Sequence, residues 1–353
     1  MKALSVILLL LVLSVPSIAQ IPTPINDPFY STFSIIAYDP ATKELGVGVQ
    51  SRAFSSGGAV PYAKPGVGAV ATQASANRQY GPKAIALLEQ GLSPAEVVKR
   101  ITDEFEGRDT TQVAVIDTKG RSAVYTGKNV IDRNHNPQDL VHYGGYAGHA
   151  SGTNFSAQGN TLASEEVVKA MAAAYESTKG TMAERLLAAL DAGQSKGGDT
   201  RGMQSAGLLV VRPLDASNAA ENRSQVERVI DLRVDDAITG NPFKELRRLL
   251  NMQMRVPAAL TAESDKLAKE GKFEQAIAQQ KKAIEIDPNR EGLHYALAQR
   301  YAQAGDTAKA LEELERAIKI HPVSMKRDAA ADPIFVKLKD SAKFKQLVGS
   351  SGK

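Results

Sequence analysis

The sequence predicts an α+β protein in two parts: two mostly antiparallel sheets covered by helices, then an all-helical repeat module. Three observations carry that expectation. Strand patterns come as hairpins near both ends of the first part, with paired helical patterns between them, unlike the strict alternation of a doubly wound fold. In the second part, four pairs of small or helix-ending residues recur thirty-four positions apart. The chain, at 353 residues, is long enough for two domains with a sizeable core in each.

The first residues read as a targeting segment. Lys2 supplies a positive start, Ala3 to Val15 is almost unbroken apolar sequence, and Ser17-Ile18-Ala19 fits small-x-small cleavage. The expected signal peptide is 1–19, with Gln20 first after the cut. The apolar run falls short of the roughly 20 residues that span a bilayer, so no stable membrane anchor is expected after cleavage. A periplasmic or secreted protein follows. Residues 20–30 carry three prolines and an Asn-Asp pair and read as a linker.

From Thr32 the pattern takes a period of two. Thr32 to Ala37 and Glu44 to Gln50 flank Asp39-Pro40 and Lys43 as a hairpin, and Val67 to Thr72 is a further small-residue strand. Gly81-Pro82 opens a helix ending near Gly91. Ser93-Pro94-Ala95-Glu96 is a capping box with Pro at the first helical position, opening a second helix to about Phe105. Gln112 to Asp117 and Ser122 to Thr126 form another hairpin around Lys119-Gly120. Tyr143 to Asn160 has no period and reads as loop with a short strand near Phe155. Helical spacing marks Ser164 to Ser177 and Met182 to Ala192. Ser205 to Arg212 reads as a buried strand, Val226 to Val234 as the last strand, and Phe243 to Met254 as an amphipathic helix.

Beyond residue 254 the thirty-four-residue spacing relates Gly271 to Gly305, Ala276 to Ala310, Ala283 to Ala317 and Pro288 to Pro322. That is the tetratricopeptide period, with small residues where paired helices cross. Each repeat buries its face only by stacking, so Phe335 to Leu347 is expected to cap the array and Phe243 to Met254 to dock below it. The expected domains are thus 31–254 and 255–353. The module is either a packing appendage or a groove for a protein partner.

Composition narrows the chemistry. Cys is absent, which excludes disulfides, thiolate metal sites, a Cys nucleophile and a Cys-linked lipid. The net charge of +4 resides in the repeat module, where 18 Lys plus Arg face 14 Asp plus Glu from Arg255 onward. So small a surplus, with signs alternating, reads as a solvated face, and no nucleic-acid partner is expected. His135, His142 and His149 share one region, but none lies four residues from another, and no metal site is expected. No phosphate-binding glycine loop opens a helix, so no cofactor is expected, and no G-x-S-x-G elbow appears.

Three stretches carry a resemblance: Thr32-Phe33-Ser34-Ile35-Ile36-Ala37, Leu45 through Arg52, and Gly66 through Ala74. Gln158-Gly159-Asn160, Gly197 through Ala206 and Asp231 through Asp236 extend it. The first domain resembles the uncharacterised family called domain of unknown function ten twenty-eight, over about residues 31–253. That family looks like the N-terminal-nucleophile (Ntn) hydrolases, which implies a four-layer αββα sandwich. In such enzymes a Thr, Ser or Cys opening the first strand attacks an amide carbonyl, and its own α-amine, with a pKa of about 8, is the base. By position the resemblance makes Thr32 the candidate nucleophile. Gln50, Ser51 and Arg52 fall where the proteasome-type branch keeps charged residues that tune the nucleophile, with Gln50 in place of an acidic residue. Arg52 is expected either to lower the pKa of the attacking group or to hold a substrate carboxylate.

Each candidate has a plainer reading beside this one. Thr32 lies twelve residues inside the expected mature chain, so it acts only after a further cut before it; otherwise it is a β-favouring residue in a strand. Asp199 and Arg201 bind substrate or pair with each other across a Gly-rich turn. Gln158 and Asn160 donate to an oxyanion or satisfy loop backbone, and Gln204 and Ser205 sit beside the same strand start. Two functions follow. One is an exported Ntn-type amidohydrolase or peptidase cleaving a small amide, with the repeats docking a partner. The other is a non-catalytic module in which the αββα domain binds a small ligand and the repeats bind a protein.

Overall fold

The computed structural model describes residues 32–75, 77–134, 145–213, 228–238 and 240–349. The expected signal peptide and linker, together with His135 and His142, lie outside these residues.

Among the described residues, ten strands form two antiparallel sheets. The six-stranded sheet contains β1 (Thr32–Asp39), β2 (Glu44–Ser51), β7 (Tyr146–Gly152), β8 (Phe155–Leu162), β9 (Ser205–Val211) and β10 (Arg228–Val234), ordered β10-β9-β2-β1-β8-β7. The four-stranded sheet runs β3 (Pro61–Lys64), β4 (Gly68–Ala74), β5 (Thr111–Asp117), β6 (Ser122–Thr126). The two-residue period of a strand splits each sheet into two faces, and the burial follows it. Phe33, Ile35 and Ala37 of β1 enter a core with helices α5 (Glu166–Ser177), α6 (Met182–Ser195) and α7 (Pro242–Gln253). Ile36, with Leu45, Val47 and Val49, instead meets Ala69, Ala71, Ala114 and Ile116 of the other sheet. The far face of that sheet presents Val70, Val113 and Val115 to α2 (Tyr80–Glu89) and α3 (Pro94–Asp103). The order of layers is therefore helices, sheet, sheet, helices.

Local chemistry explains the ends of these elements. Ser93 and Glu96 form the reciprocal capping box at α3, and Thr181 with Glu184 does the same at α6. On β2 a side chain at Gly46 would come within 2.7 Å of Leu186, so glycine lets α6 lie close on the sheet.

Two readings are corrected. The stretch 143–160, read as loop with one short strand, contains the paired strands β7 and β8 over its described part. Its Gly, Ser and Gln content hid the strands because β8 turns polar side chains into the space between the sheets rather than apolar ones. The segment after β2 also carries structure that periodicity missed: the four-residue helix α1 (Ser56–Ala59) and then β3. Both elements are too short to show a period. The helix α4 (Lys128–Asn134) was unread as well.

The repeat module follows as α8 (Val256–Lys269), α9 (Phe273–Ile286), α10 (Glu291–Ala304), α11 (Thr307–Ile320), α12 (Pro322–Ala331) and α13 (Ala342–Val348). Ala276, Ala283, Ala310 and Ala317 are fully buried at the helix crossings, as their spacing required. Gly271 and Gly305 take φ of +75° and +85° in equivalent turns, conformations that favour glycine. Phe335, Leu338 and Phe344 close the end of this core. Helix α7 buries Phe243, Leu246 and Leu250 in the first domain, while its Arg248 donates to the carbonyl of Ile286 in α9. Among the described residues no helix is long and apolar enough to cross a membrane.

Candidate functional site

Antiparallel pairing sets a row of polar side chains across one end of the six-stranded sheet. Thr32 pairs with Asn160 on one side and Ser51 on the other, and Ser51 pairs with Ser205. The row thus runs Asn160, Thr32, Ser51, Ser205 across β8, β1, β2 and β9. These four residues stand up to 173 positions apart in the sequence. The Thr32 hydroxyl donates to Ser51 Oγ at 3.0 Å, and the backbone N–H of Ala53 donates to the same oxygen at 3.0 Å.

Beneath Thr32 a continuous chain of side-chain hydrogen bonds joins the two sheets. Gln158 donates to Ser34 Oγ (2.7 Å), Ser34 to Gln73 Oε1 (2.6 Å), Gln73 to Gln112 Oε1 (2.7 Å), and Gln112 to Thr126 (2.9 Å). Gln73 and Asn160 also donate to the Thr32 carbonyl, at 3.2 and 3.4 Å. Each donation polarises the next, and a dry interior makes such a network costly to break. The network holds the Thr32 backbone from two sides.

Above this floor is a cavity of about 230 Å³ lined by Thr32, Ser51, Ala53, Phe54, Ser56, Ala59, Val60, Gln73, Ala74 and Arg78. Its walls come from both sheets and from the β2–β3 connection. Helix α1 lies against β9 at backbone contact, since a side chain at Gly207 would meet Gly57 Cα at 2.6 Å. That approach lets Ser56 and Ser205 join hydroxyls at 2.6 Å, while Ser205 donates to the Ala53 carbonyl. Two non-glycine residues at or beside the lining, Ala74 and Ser55, have positive φ of 62° and 55°. Such backbone strain persists where surrounding structure enforces it, and it concentrates at functional sites.

The remaining candidates form a second cluster beside the row. Asp199, whose side chain is fully buried, accepts from the backbone of Arg52 (3.0 Å) and pairs with the Arg201 guanidinium (3.1 Å). Arg52 donates to Gln204 Oε1 at 2.9 Å, and Gln204 reaches on to Asp236 at 3.2 Å. The strand period places Gln50 on the helix-facing side of the sheet, opposite to Thr32 and Ser51, where its amide donates to the Gly202 carbonyl. Of the ten residues singled out, Thr32 and Ser51 line the cavity; Gln50, Arg52, Gln158, Asn160, Asp199, Arg201, Gln204 and Ser205 do not. Each makes at least one hydrogen bond within the fold, while Gln50 Oε1 and Gln158 Oε1 are buried with no partner among the described residues. Sequence reasoning missed Phe54, Ser56, Gln112 and Arg78, and it met Gln73 only within a longer motif. A glutamine near the end of each of two strands otherwise rich in Ala and Val was the available signal for the buried network.

Among the described residues no group of His, Asp and Glu is arranged to hold a metal ion. No carboxylate, imidazole or amine side chain lines the cavity either.

A two-sheet antiparallel domain with a hydroxyl-lined cavity at one sheet end, joined to a helical repeat array, is the class these features define. The chain belongs to the family of unknown function DUF1028, whose model matches residues 32–246. A tetratricopeptide repeat model matches residues 267–327. The crystal structure of the DUF1028 protein SPO2555 from Silicibacter pomeroyi is similar at 29% identity and a TM-score of 0.52. The match covers 63% of this chain and 88% of that one. No curated protein matches the chain. The presence of tetratricopeptide repeats is consistent with binding a protein partner.

Proposed function

We propose that the first domain is an amidohydrolase of the Ntn type acting on a small amide or peptide, with Thr32 as nucleophile and the repeats docking a protein partner outside the cytoplasm. One observation carries the reading. Thr32, at the first position of the first strand, lines a cavity to which the described residues contribute no side chain able to take a proton at neutral pH. A base for the Thr32 hydroxyl must then come from the α-amine of Thr32 itself, which titrates at about 8 when free. Cutting the Ser31–Thr32 bond is the maturation step this requires.

In that mechanism the amine takes the hydroxyl proton as Oγ bonds to the amide carbon, then hands it to the departing nitrogen. Water, deprotonated by the same amine, cleaves the resulting ester and restores Thr32. Gln73 and Asn160 act as positioning residues through their bonds to the Thr32 carbonyl. The layered fold and the strand-initial Thr32 are what support an Ntn relationship.

The test is to map the N-terminus of the mature protein from its native host and to treat it with an amide-mimicking electrophile. A start at Thr32 and an adduct on Thr32 are expected. A start at Gln20 without an adduct sinks the proposal and favours the second reading, a non-catalytic ligand-binding domain. That reading draws its support from the peptide bond that precedes Thr32 in the sequence.

A further inference from the structure

We infer that the cavity selects small compounds bearing one carboxylate, and that Arg78 is the residue that reads this charge. The inference deepens the preceding proposal and rests on its view of the cavity as the substrate site.

Among the described residues, Arg78 is the one charged residue in the lining. It precedes α2 and is exposed to solvent at the cavity. An arginine side chain offers five N–H donors in a planar fork and no acceptor. Among the described residues Arg78 makes no hydrogen bond or ion pair. Other arginines near this sheet end are engaged: Arg52 with Gln204, Arg201 with Asp199, and Arg233 with Asp231. A free guanidinium beside a concave site without any acid is a standing match for a planar carboxylate, which it can bind through two parallel hydrogen bonds.

The rest of the lining sets the remaining chemistry. Ala53, Phe54, Ala59, Val60 and Ala74 make an apolar wall, and Phe54 remains 68% exposed, an uncovered ring beside the cavity. A single cation with no second one beside it favours a monoanion over a dianion. The volume of about 230 Å³ falls below the roughly 300–1,000 Å³ of pockets for drug-sized molecules, which points to a ligand of amino-acid size. Acylated amino acids combine an amide, an apolar group and one carboxylate at that scale. The role assigned to Arg52 from sequence, holding a substrate carboxylate, thus passes to Arg78, because Arg52 is bonded to Gln204 and is absent from the lining.

The experiment measures binding of N-acetylalanine and of its neutral carboxamide, N-acetylalaninamide, by calorimetry to the full chain as isolated from its host. The Thr32→Ala version is used so that no turnover intervenes. The acid is expected to bind at least about tenfold tighter than the amide. Arg78→Gln should erase that preference while leaving the amide affinity and the circular dichroism unchanged, and added salt should weaken only the acid. Equal affinities, an unchanged preference in Arg78→Gln, or no binding of either compound each overturn the inference. Turnover by the unmutated protein separates the two claims. Acid preference without hydrolysis retires the nucleophile and keeps Arg78, whereas hydrolysis without charge preference does the reverse.

Discussion

Thr32 and Ser51 face each other across β1 and β2 with their hydroxyls 3.0 Å apart, and both open into the same cavity. The pair ties the proposed nucleophile to the strand that ends beside it. Ser51 also accepts from the Ala53 backbone N–H, so the oxygen that accepts the Thr32 hydrogen bond is itself fixed by backbone. This arrangement makes specific demands on variants.

Thr32→Ala should abolish amide hydrolysis, by at least about a thousandfold, while costing only about 1 kcal/mol of stability. Thr32→Ser should retain part of the activity, since it keeps the hydroxyl. Initial rates and urea midpoints on the matured protein check this. An active Thr32→Ala protein refutes the assignment.

Gln112 is the junction of the inter-sheet network. Its amide donates to Thr126 and the Gly159 carbonyl, and its carbonyl accepts from Gln73 and Asn160. Gln112→Leu strands those partners in a dry interior. We expect a loss of about 2–4 kcal/mol in denaturant unfolding, larger than for an exposed glutamine. A change below about 0.5 kcal/mol would mean the network contributes little.

Asp199→Asn removes the buried carboxylate that faces Arg201. The neutral amide keeps the shape but leaves the guanidinium without its counter-charge, and about 3–5 kcal/mol of destabilisation is expected. Changing Asp199 and Arg201 together to Asn and Met should cost less than Asp199→Asn alone, which a double-mutant cycle measures.

Gly207→Ala forces a methyl group against the Gly57 backbone. Helix α1 must shift, carrying Ser56 and Ala59 of the cavity lining with it. A cost of about 1–3 kcal/mol is expected together with weaker ligand binding, whereas Gly292→Ala, where a side chain meets open space at an ordinary helical φ, should leave binding and stability intact. Thermal unfolding and calorimetry on both variants test the contrast.

The parts that were legible in the sequence rest on local physics. The capping box at Ser93 declares a helix start within four residues, and the thirty-four-residue recurrence of alanine and glycine declares stacked helix pairs. Ser205 to Arg212 reads as a buried strand, and the observed strand Ser205–Val211 is buried throughout because both its faces are covered by neighbouring layers. The strands β7 and β8 escaped because a strand that turns polar side chains into a buried network loses the apolar alternation by which strands are recognised.

By itself the sequence determined the two-part organisation, the hairpins, the helix caps, the repeat register and Thr32 as the residue that opens the first strand. All of these are written in neighbours a few positions apart or in an exact period. The tertiary structure alone decided that Thr32 and Ser51 share a cavity while Gln50, one residue away, faces the helices. It also decided that Asp199 pairs with Arg201, and that Phe54 and Arg78 line the cavity. Those outcomes depend on strand register and on how closely two sheets and a four-residue helix approach, and such non-local packing leaves no periodic trace in the chain.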